Sequence, residues 1–211
     1  MFTGIIQTVG HISHIEVFEH LSYAGLQLTV QANTMFMAGV SLGDSIAIQG
    51  ACMTVVRLCS DADIVNGFVV DVSYESLSKT TGLSTLGDVN LEKALSLSTP
   101  LGGHLVTGHV DGLGQVAYIQ AVGESWQLVI TTPLTMAKFF AIKGSAVING
   151  VSLTVNTVDD HKTGCNLSFN LIPHTWSNTT LCQLKPGDDV NLEIDLVARY
   201  LERMLSVPKI I

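Results

Sequence analysis

The chain has 211 residues, of which 47% are hydrophobic and only 13% charged, and its formal net charge is −8. That length suits one large or two small domains, each with its own core, and the composition argues against disorder. The acidic balance argues against nucleic acid as the main partner.

The chain opens on MFTGIIQTVGHISHIEV, which has no basic start, no long apolar core and no small-residue cleavage site, so no secretory leader is expected. No run approaches about 18 apolar residues, so no membrane-spanning helix is expected either. Next come TMFMAGV near Thr34, a short helical candidate, and the β-branched runs SIAIQG, MTVVRL, GFVVDVS and DVNLEKA, punctuated by glycine. Then the pattern starts again. TGIIQTVGHI at 3–12 returns as TGHVDGLGQV at 107–116, and SIAIQGACMTVV at 45–56 as SAVINGVSLTVN at 145–156. DVSYESLSKTT at 71–81 returns as NLIPHTWSNTT at 170–180, and the LGDVNLE that ends at Glu92 as the PGDDVNLEID that ends at Asp195.

Four matches in one order, about 100 residues apart, describe two tandem homologous domains, with a period too long for a solenoid. The second copy carries QLVITT, SAVING, LTVNTV and DVNLEID as strands. Its own short helix is PLTMAKFFAI, with Pro133 fitting the first turn, where its missing N–H costs little. Short strands at about ten-residue spacing predict an all-β sandwich or small closed barrel, with the short helices as lids over a barrel end.

The tail, DLVARYLERMLS, belongs to neither copy. Leu196, Tyr200, Leu201, Met204 and Leu205 form one apolar helical stripe, with Asp195 at its start and Arg199 and Arg203 beyond. Such a helix either folds back onto its own domain or joins copies of the chain, and self-association is the favoured reading. The cysteines Cys52, Cys59, Cys165 and Cys182 show neither C-x-x-C nor metal-ligand spacing with histidine. Free thiols in a reducing, cytoplasmic setting are the expectation.

The two copies differ at a few polar positions. His109 stands opposite Ile5, Ser152 opposite Cys52, and Asn170 opposite Asp71, whereas Thr3 and Thr107, Gly4 and Gly108, Gly50 and Gly150, and Thr54 and Thr154 are kept. Two pockets of one shape and unlike polarity could hold two copies of one ligand in different chemical roles. Glycines let backbone amides approach a flat heterocycle. Ser152 and Thr154, like Cys52 and Thr54, are spaced to share one face of a strand. A histidine on an apolar strand is often only a bonded core residue; within GGHLVTGHVDG, His104 and His109 could instead orient a water or move a proton. No G-x-S-x-G elbow, hydrolase triad or H-E-x-x-H pair is present.

MFTGII at the start, GGHLVTGHVDG at 102–112 and INGVSLTV at 148–155 together resemble riboflavin synthase, over nearly the whole chain. The resemblance implies two tandem six-stranded Greek-key barrels, at 1–97 and 98–195, and a C-terminal oligomerisation helix at 196–211 that assembles a homotrimer. It implies that each barrel binds one 6,7-dimethyl-8-ribityllumazine, with active sites between the N-terminal barrel of one subunit and the C-terminal barrel of its neighbour. It implies a transferase that dismutates two lumazines to riboflavin and a ribitylaminopyrimidine by moving a four-carbon unit, with no metal or organic cofactor and with room for association with lumazine synthase.

Carried over residue by residue, the resemblance puts Gly4, Ile5 and Ile6 in the N-terminal pocket with Cys52, Met53, Thr54, Asp71, Val72, Ser73, Tyr74, Glu75 and Ser76. It puts Gly108, His109, Val110, Lys143, Ser152, Leu153 and Thr154 in the C-terminal pocket with Asn170, Leu171, Ile172, Pro173, His174 and Thr175. His109, Ser152, Thr154, Cys52 and Ser45 form the candidate catalytic set. Two positions depart from the family pattern: Asn149 stands where some members have aspartate, and His174 where many have glutamate. The rival is a lumazine protein of the same fold, which binds the chromophore without turning it over. Such proteins tend to lose the GGHL…GH motif that this chain keeps.

Overall fold

The computed structural model describes residues 1–18, 25–61 and 64–206. The first copy contains β1 (Thr8–Val17), β2 (Leu26–Gln31), α1 (Thr34–Met37), β3 (Ser45–Ile48), β4 (Ala51–Asp61), β5 (Ile64–Val72), α2 (Tyr74–Lys79) and β6 (Gly87–Lys93). Its strands close into an antiparallel barrel in the order β1-β2-β5-β4-β3-β6. Period-two patterning builds it: along β2, Leu26, Leu28 and Val30 point into the core while the residues between them turn outward. The predicted lid at Thr34 is α1. Asn33 caps it by accepting the Phe36 N–H at 2.8 Å, and Phe36 and Met37 drop into the barrel core.

The second copy contains β7 (Gly112–Val122), β8 (Ser125–Pro133), α3 (Leu134–Ala137), β9 (Ser145–Ile148), β10 (Val151–Thr154), β11 (Thr157–His161), β12 (Gly164–Leu171), α4 (Pro173–Ser177), a 3-10 turn at Thr180–Gln183, β13 (Asp189–Ile194) and the tail helix α5 (Leu196–Ser206). Its sheet runs β10-β9-β13-β7-β8-β12-β11. There are seven strands where six were expected, because one has broken. The long β4 absorbs an extra residue as a bulge between Val55 and Arg57, and at the equivalent place the second copy ends β10 and begins β11. The two pieces terminate opposite ends of the sheet order, and the Asn156 N–H donates to Ser168 O at 2.8 Å across the gap. Pro133 also differs from expectation. It is the last residue of β8, with φ −60° and ψ 150°, so it caps α3 from outside instead of occupying the first turn.

The two copies meet through equivalent turns. The hairpins β3–β4 and β9–β10 turn through Gln49–Gly50 and Asn149–Gly150, all at positive φ, the backbone of a tight two-residue turn. The two tips touch: a Cβ on Gly50 would lie 2.7 Å from the Gly150 nitrogen. Around this point the bonds are reciprocal. Asn90 Nδ2 donates to Asn149 O at 2.8 Å, and Asn191 Nδ2 to Gln49 O at 2.9 Å. Gln49 Oε1 accepts from Asn90 N, and Asn149 Oδ1 from Asn191 N. Asn149 is therefore engaged in the seam between the copies. Phe2, Ala47, Val106 and Val147 fill the rest of that seam.

No residue of α5 is buried, and Val197, Tyr200, Leu201, Met204 and Leu205 are all exposed. The helix lies on its own chain by its polar side: Arg199 pairs with Asp111 and Lys138 with Glu202. The apolar stripe is thus not folded back onto its own domain. The four cysteines are free.

Candidate functional site

Each copy begins with a Thr–Gly step held by a buried glutamate. Glu92 Oε1 accepts from Thr3 N at 2.7 Å and Thr3 Oγ1 at 2.6 Å, and its Oε2 from Gly4 N at 2.9 Å. Glu193 repeats this on Thr107 and Gly108 at 2.6, 2.7 and 3.0 Å. Burial raises both carboxyl pKa values, while the donated hydrogen bonds pull them down.

From these anchors each segment crosses to the other copy. Ser152 N donates to Gly4 O and Cys52 N to Gly108 O, both at 2.8 Å. Ile6 packs on the core of the second copy and Val110 on that of the first. The crossing requires glycine. Gly4 and Gly108 have φ of 74° and 78°, and a Cβ would lie 2.5 Å from Ser152 Cβ in one case and 2.7 Å from Cys52 Cβ in the other. The grouping expected from sequence is therefore exchanged: Gly4, Ile5 and Ile6 accompany Ser152, and Gly108, His109 and Val110 accompany Cys52. A repeat offset says which residues are equivalent; it is silent on which barrel edge a crossing segment joins.

The first site is a cleft of about 550 Å³ whose walls include Cys52, Met53, Glu75, Ser76, His109 and Val110, with Lys79, Asp111 and Arg199. Its α2 wall is fixed by Ser73, whose Oγ accepts the Ser76 N–H at 3.1 Å and so caps the helix. Tyr74 is exposed on the same turn, Asp71 accepts from Gln27 Nε2 at 2.9 Å on the outer face of the barrel, and Val72 is core. Ser45 pairs in register with Thr54 at the far end of the β3–β4 hairpin and is not among the residues of the cleft wall.

At the second site Ser152 Oγ lies 2.7 Å from His104 Nδ1. The glycines before His104 make this possible. A Cβ on Gly103 would lie 2.1 Å from Thr3 O and 2.8 Å from Ser152 Oγ, so the backbone runs flush against both. Burial lowers the His104 pKa against the opposing charge of Asp195, and its Nε2 is buried with no hydrogen-bond partner among the described residues. Burial thus favours the uncharged form of the ring. His104 thus holds the place by Ser152 that sequence reasoning gave to His109. It lies in residues 98–106, upstream of the segment that aligns with Thr3, so no comparison between copies could single it out. The paired glycines before it were the signal. Glu92 and Glu193 were missed likewise, although DVNLE recurs in both copies.

Near Ser152, Leu153 is buried in the core and Thr154 exposed. Asn170 Oδ1 accepts from Ser125 Oγ at 2.8 Å, and Leu171 is core. Ile172 occupies the cap position of α4, whose first turn holds Pro173, His174 and Thr175. Trp176 stacks on Trp126 with centroids 4.5 Å apart and planes within 6°. Lys143 takes the left-handed position that Gly43 fills in the first copy, with φ 64°, and its Nζ donates to Asn156 Oδ1 at 3.2 Å.

The family described as lumazine binding domain matches residues 3–94 and again 107–195. A riboflavin synthase of Photobacterium phosphoreum is 41% identical over 211 residues, covering 99% of this chain and 91% of its own length. That of Bacillus subtilis is 34% identical over 208 residues, covering 97% and 90%. Among solved structures, LumP complexed with riboflavin aligns with a TM-score of 0.79 at 24% identity, over 92% of this chain and 99% of its own, a likeness of fold. Two domain matches that coincide with the two copies, together with relatives matched over nearly their whole length, lead to one conclusion: the chain belongs to the riboflavin synthase family of tandem lumazine-binding domains.

Proposed function

We propose that this chain is a riboflavin synthase, a transferase that converts two molecules of 6,7-dimethyl-8-ribityllumazine into riboflavin and 5-amino-6-ribitylaminouracil. The two products contain every atom of the two substrates, so the reaction needs no outside oxidant or reductant. One lumazine must lose a proton from its C7 methyl, and the other must accept a nucleophile at its own C7. The observation that carries the reading is the inequality of two sites built on one frame. One offers Ser152 Oγ hydrogen-bonded to the buried His104 ring, and the other offers Cys52 and His109 on a cleft wall. A neutral imidazole 2.7 Å from a hydroxyl can take its proton, or that of a water in its place, as addition proceeds. Chemistry that treats identical substrates unequally requires this asymmetry.

The exposed stripe of α5 supports self-association; the assembly we propose is a homotrimer with facing sites supplied by neighbouring chains, in a cytoplasmic biosynthetic enzyme. Mixing the protein with the lumazine and recording riboflavin absorbance tests the reading. Bound lumazine with no riboflavin formed would instead make the chain a chromophore carrier.

A further inference from the structure

The cleft beside Cys52 is asymmetric in a second respect. Two differences between the copies fall on one short segment: Ile5 becomes His109, and two residues later Gln7 becomes Asp111. Gln7 and Asp111 share one backbone task. Gln7 Oε1 accepts the Lys93 N–H at 3.1 Å, and Asp111 Oδ2 accepts the Ile194 N–H at 2.9 Å. Among the described residues, only the Asp111 side chain has a second partner. Arg199 reaches it from the first turn of α5 with both guanidinium arms, Nη1 to Oδ1 at 2.8 Å and Nη2 to Oδ2 at 2.9 Å. A two-pronged pair of this kind fixes orientation as well as distance. Arg199 and Asp111 both form part of the cleft wall that His109 lines.

We infer that Arg199 is a positioning residue: through its forked pair with Asp111, helix α5 sets the place of His109 in the cleft. This rests on the proposed activity for its kinetic consequence and on geometry alone for its structural one. His109 is exposed, and its backbone nitrogen is held by Thr107 Oγ1 at 3.3 Å. The segment is pinned upstream by Glu193 on Thr107 and Gly108. Downstream the Asp111 N–H donates to Leu192 O at 2.8 Å, and among the described residues the Asp111 side chain is this segment's one tie to α5. Among the described residues, the first copy has no helix after β6 to play this part. The clasp, the helix and the histidine are therefore present together in one copy only.

A double-mutant cycle on the full-length protein tests this. Arg199→Ala should lower kcat roughly tenfold, as a small misplacement of a reacting group does, with KM changed less. The same substitution made in a His109→Ile background should cost less than about twofold, because a residue that acts through His109 has nothing left to position. Asp111→Asn, which keeps an acceptor for the Ile194 N–H, should match Arg199→Ala, and Arg199→Lys should recover part of the loss. Equal losses in both backgrounds, unchanged kcat in Arg199→Ala, or a variant that melts lower while turnover per folded molecule is normal would each overturn the inference. Amide hydrogen exchange gives a readout independent of turnover. Residues 107–111 should exchange about tenfold faster in Arg199→Ala, and unchanged exchange would overturn the clasp even if the wild type forms no riboflavin, a result that by itself would sink only the activity.

Discussion

Gly103→Ala is the sharpest probe of the Ser152 site, because its cost can be worked from distances. The added Cβ would sit 2.1 Å from Thr3 O and 2.8 Å from both Ser152 Cβ and Oγ. Neither neighbour can give way easily. Thr3 is bound by its N–H and hydroxyl to buried Glu92, and its carbonyl accepts the His104 N–H at 3.2 Å. Ser152 is tied through its own N–H to Gly4 O. Relief therefore falls on the 103–104 backbone, which must retreat by about 1 Å, and a 2.7 Å contact stretched that far is no longer a hydrogen bond. Overpacking of this kind costs about 1–3 kcal/mol, or roughly 2–12 °C in melting temperature for a chain of this size. A misplacement of about 1 Å costs on the order of a hundredfold in turnover. Gly102→Ala is the matched control: its Cβ would meet Ile5 Cγ1 at 3.3 Å, and the half-exposed Ile5 side chain can turn away. Melting by circular dichroism and riboflavin formation, measured on the same preparations, should separate the two variants. A Gly103→Ala protein that melts and turns over like the wild type would refute the geometry.

Three further outcomes are expected. The His104 pKa is lowered by burial, so its share of stability is complete above about pH 6.5 and is lost as pH falls through the folded value; wild type should lose more melting temperature than His104→Gln between about pH 7 and pH 5. Glu92 and Glu193 act in the opposite sense, their raised pKa values giving a contribution that is complete below the ordinary 4.5 and falls as pH rises through the folded values. Deleting residues from Asp195 onward should abolish self-association in sedimentation runs, since each large side chain of the stripe contributes about 1.5–3 kcal/mol when fully buried; a truncated chain with unchanged mass would exclude that role for α5. A fragment of residues 1–97 should fold, because its barrel closes by itself, but should bind lumazine only as a dimer in which residues 3–6 of one copy replace 107–110 of the other. Tight binding by a monomeric fragment would contradict the exchanged walls.

The strands of both copies, the closed first barrel and the tail helix were legible because their signals are local: alternating β-branched runs, glycine-marked turns and one apolar stripe; the second copy's sheet stays open where one strand breaks. The crossing of residues 3–6 and 107–110 was not legible, since both edges offer the same N–H, from Cys52 and from Ser152, and only the assembled chain shows which is used. The break at Asn156 was hidden for a related reason, because a bulge and a gap can follow from the same residue count. His104 was noticed for its glycines but left outside the candidate set, because the repeat, which directed attention to unequal pairs, has no partner for it. Asn149 looked like a lost carboxylate; its backbone at φ 49° and its bond to Asn191 give it work in the seam instead.

The exchanged segments also constrain how such a gene can change. Each half of the coding sequence writes a wall of the other half's site, so a substitution at position 5 alters the surroundings of Ser152, and one at position 109 those of Cys52. A single codon change in one half reshapes the opposite site while leaving its own barrel intact, a short route from two equal sites to two different ones.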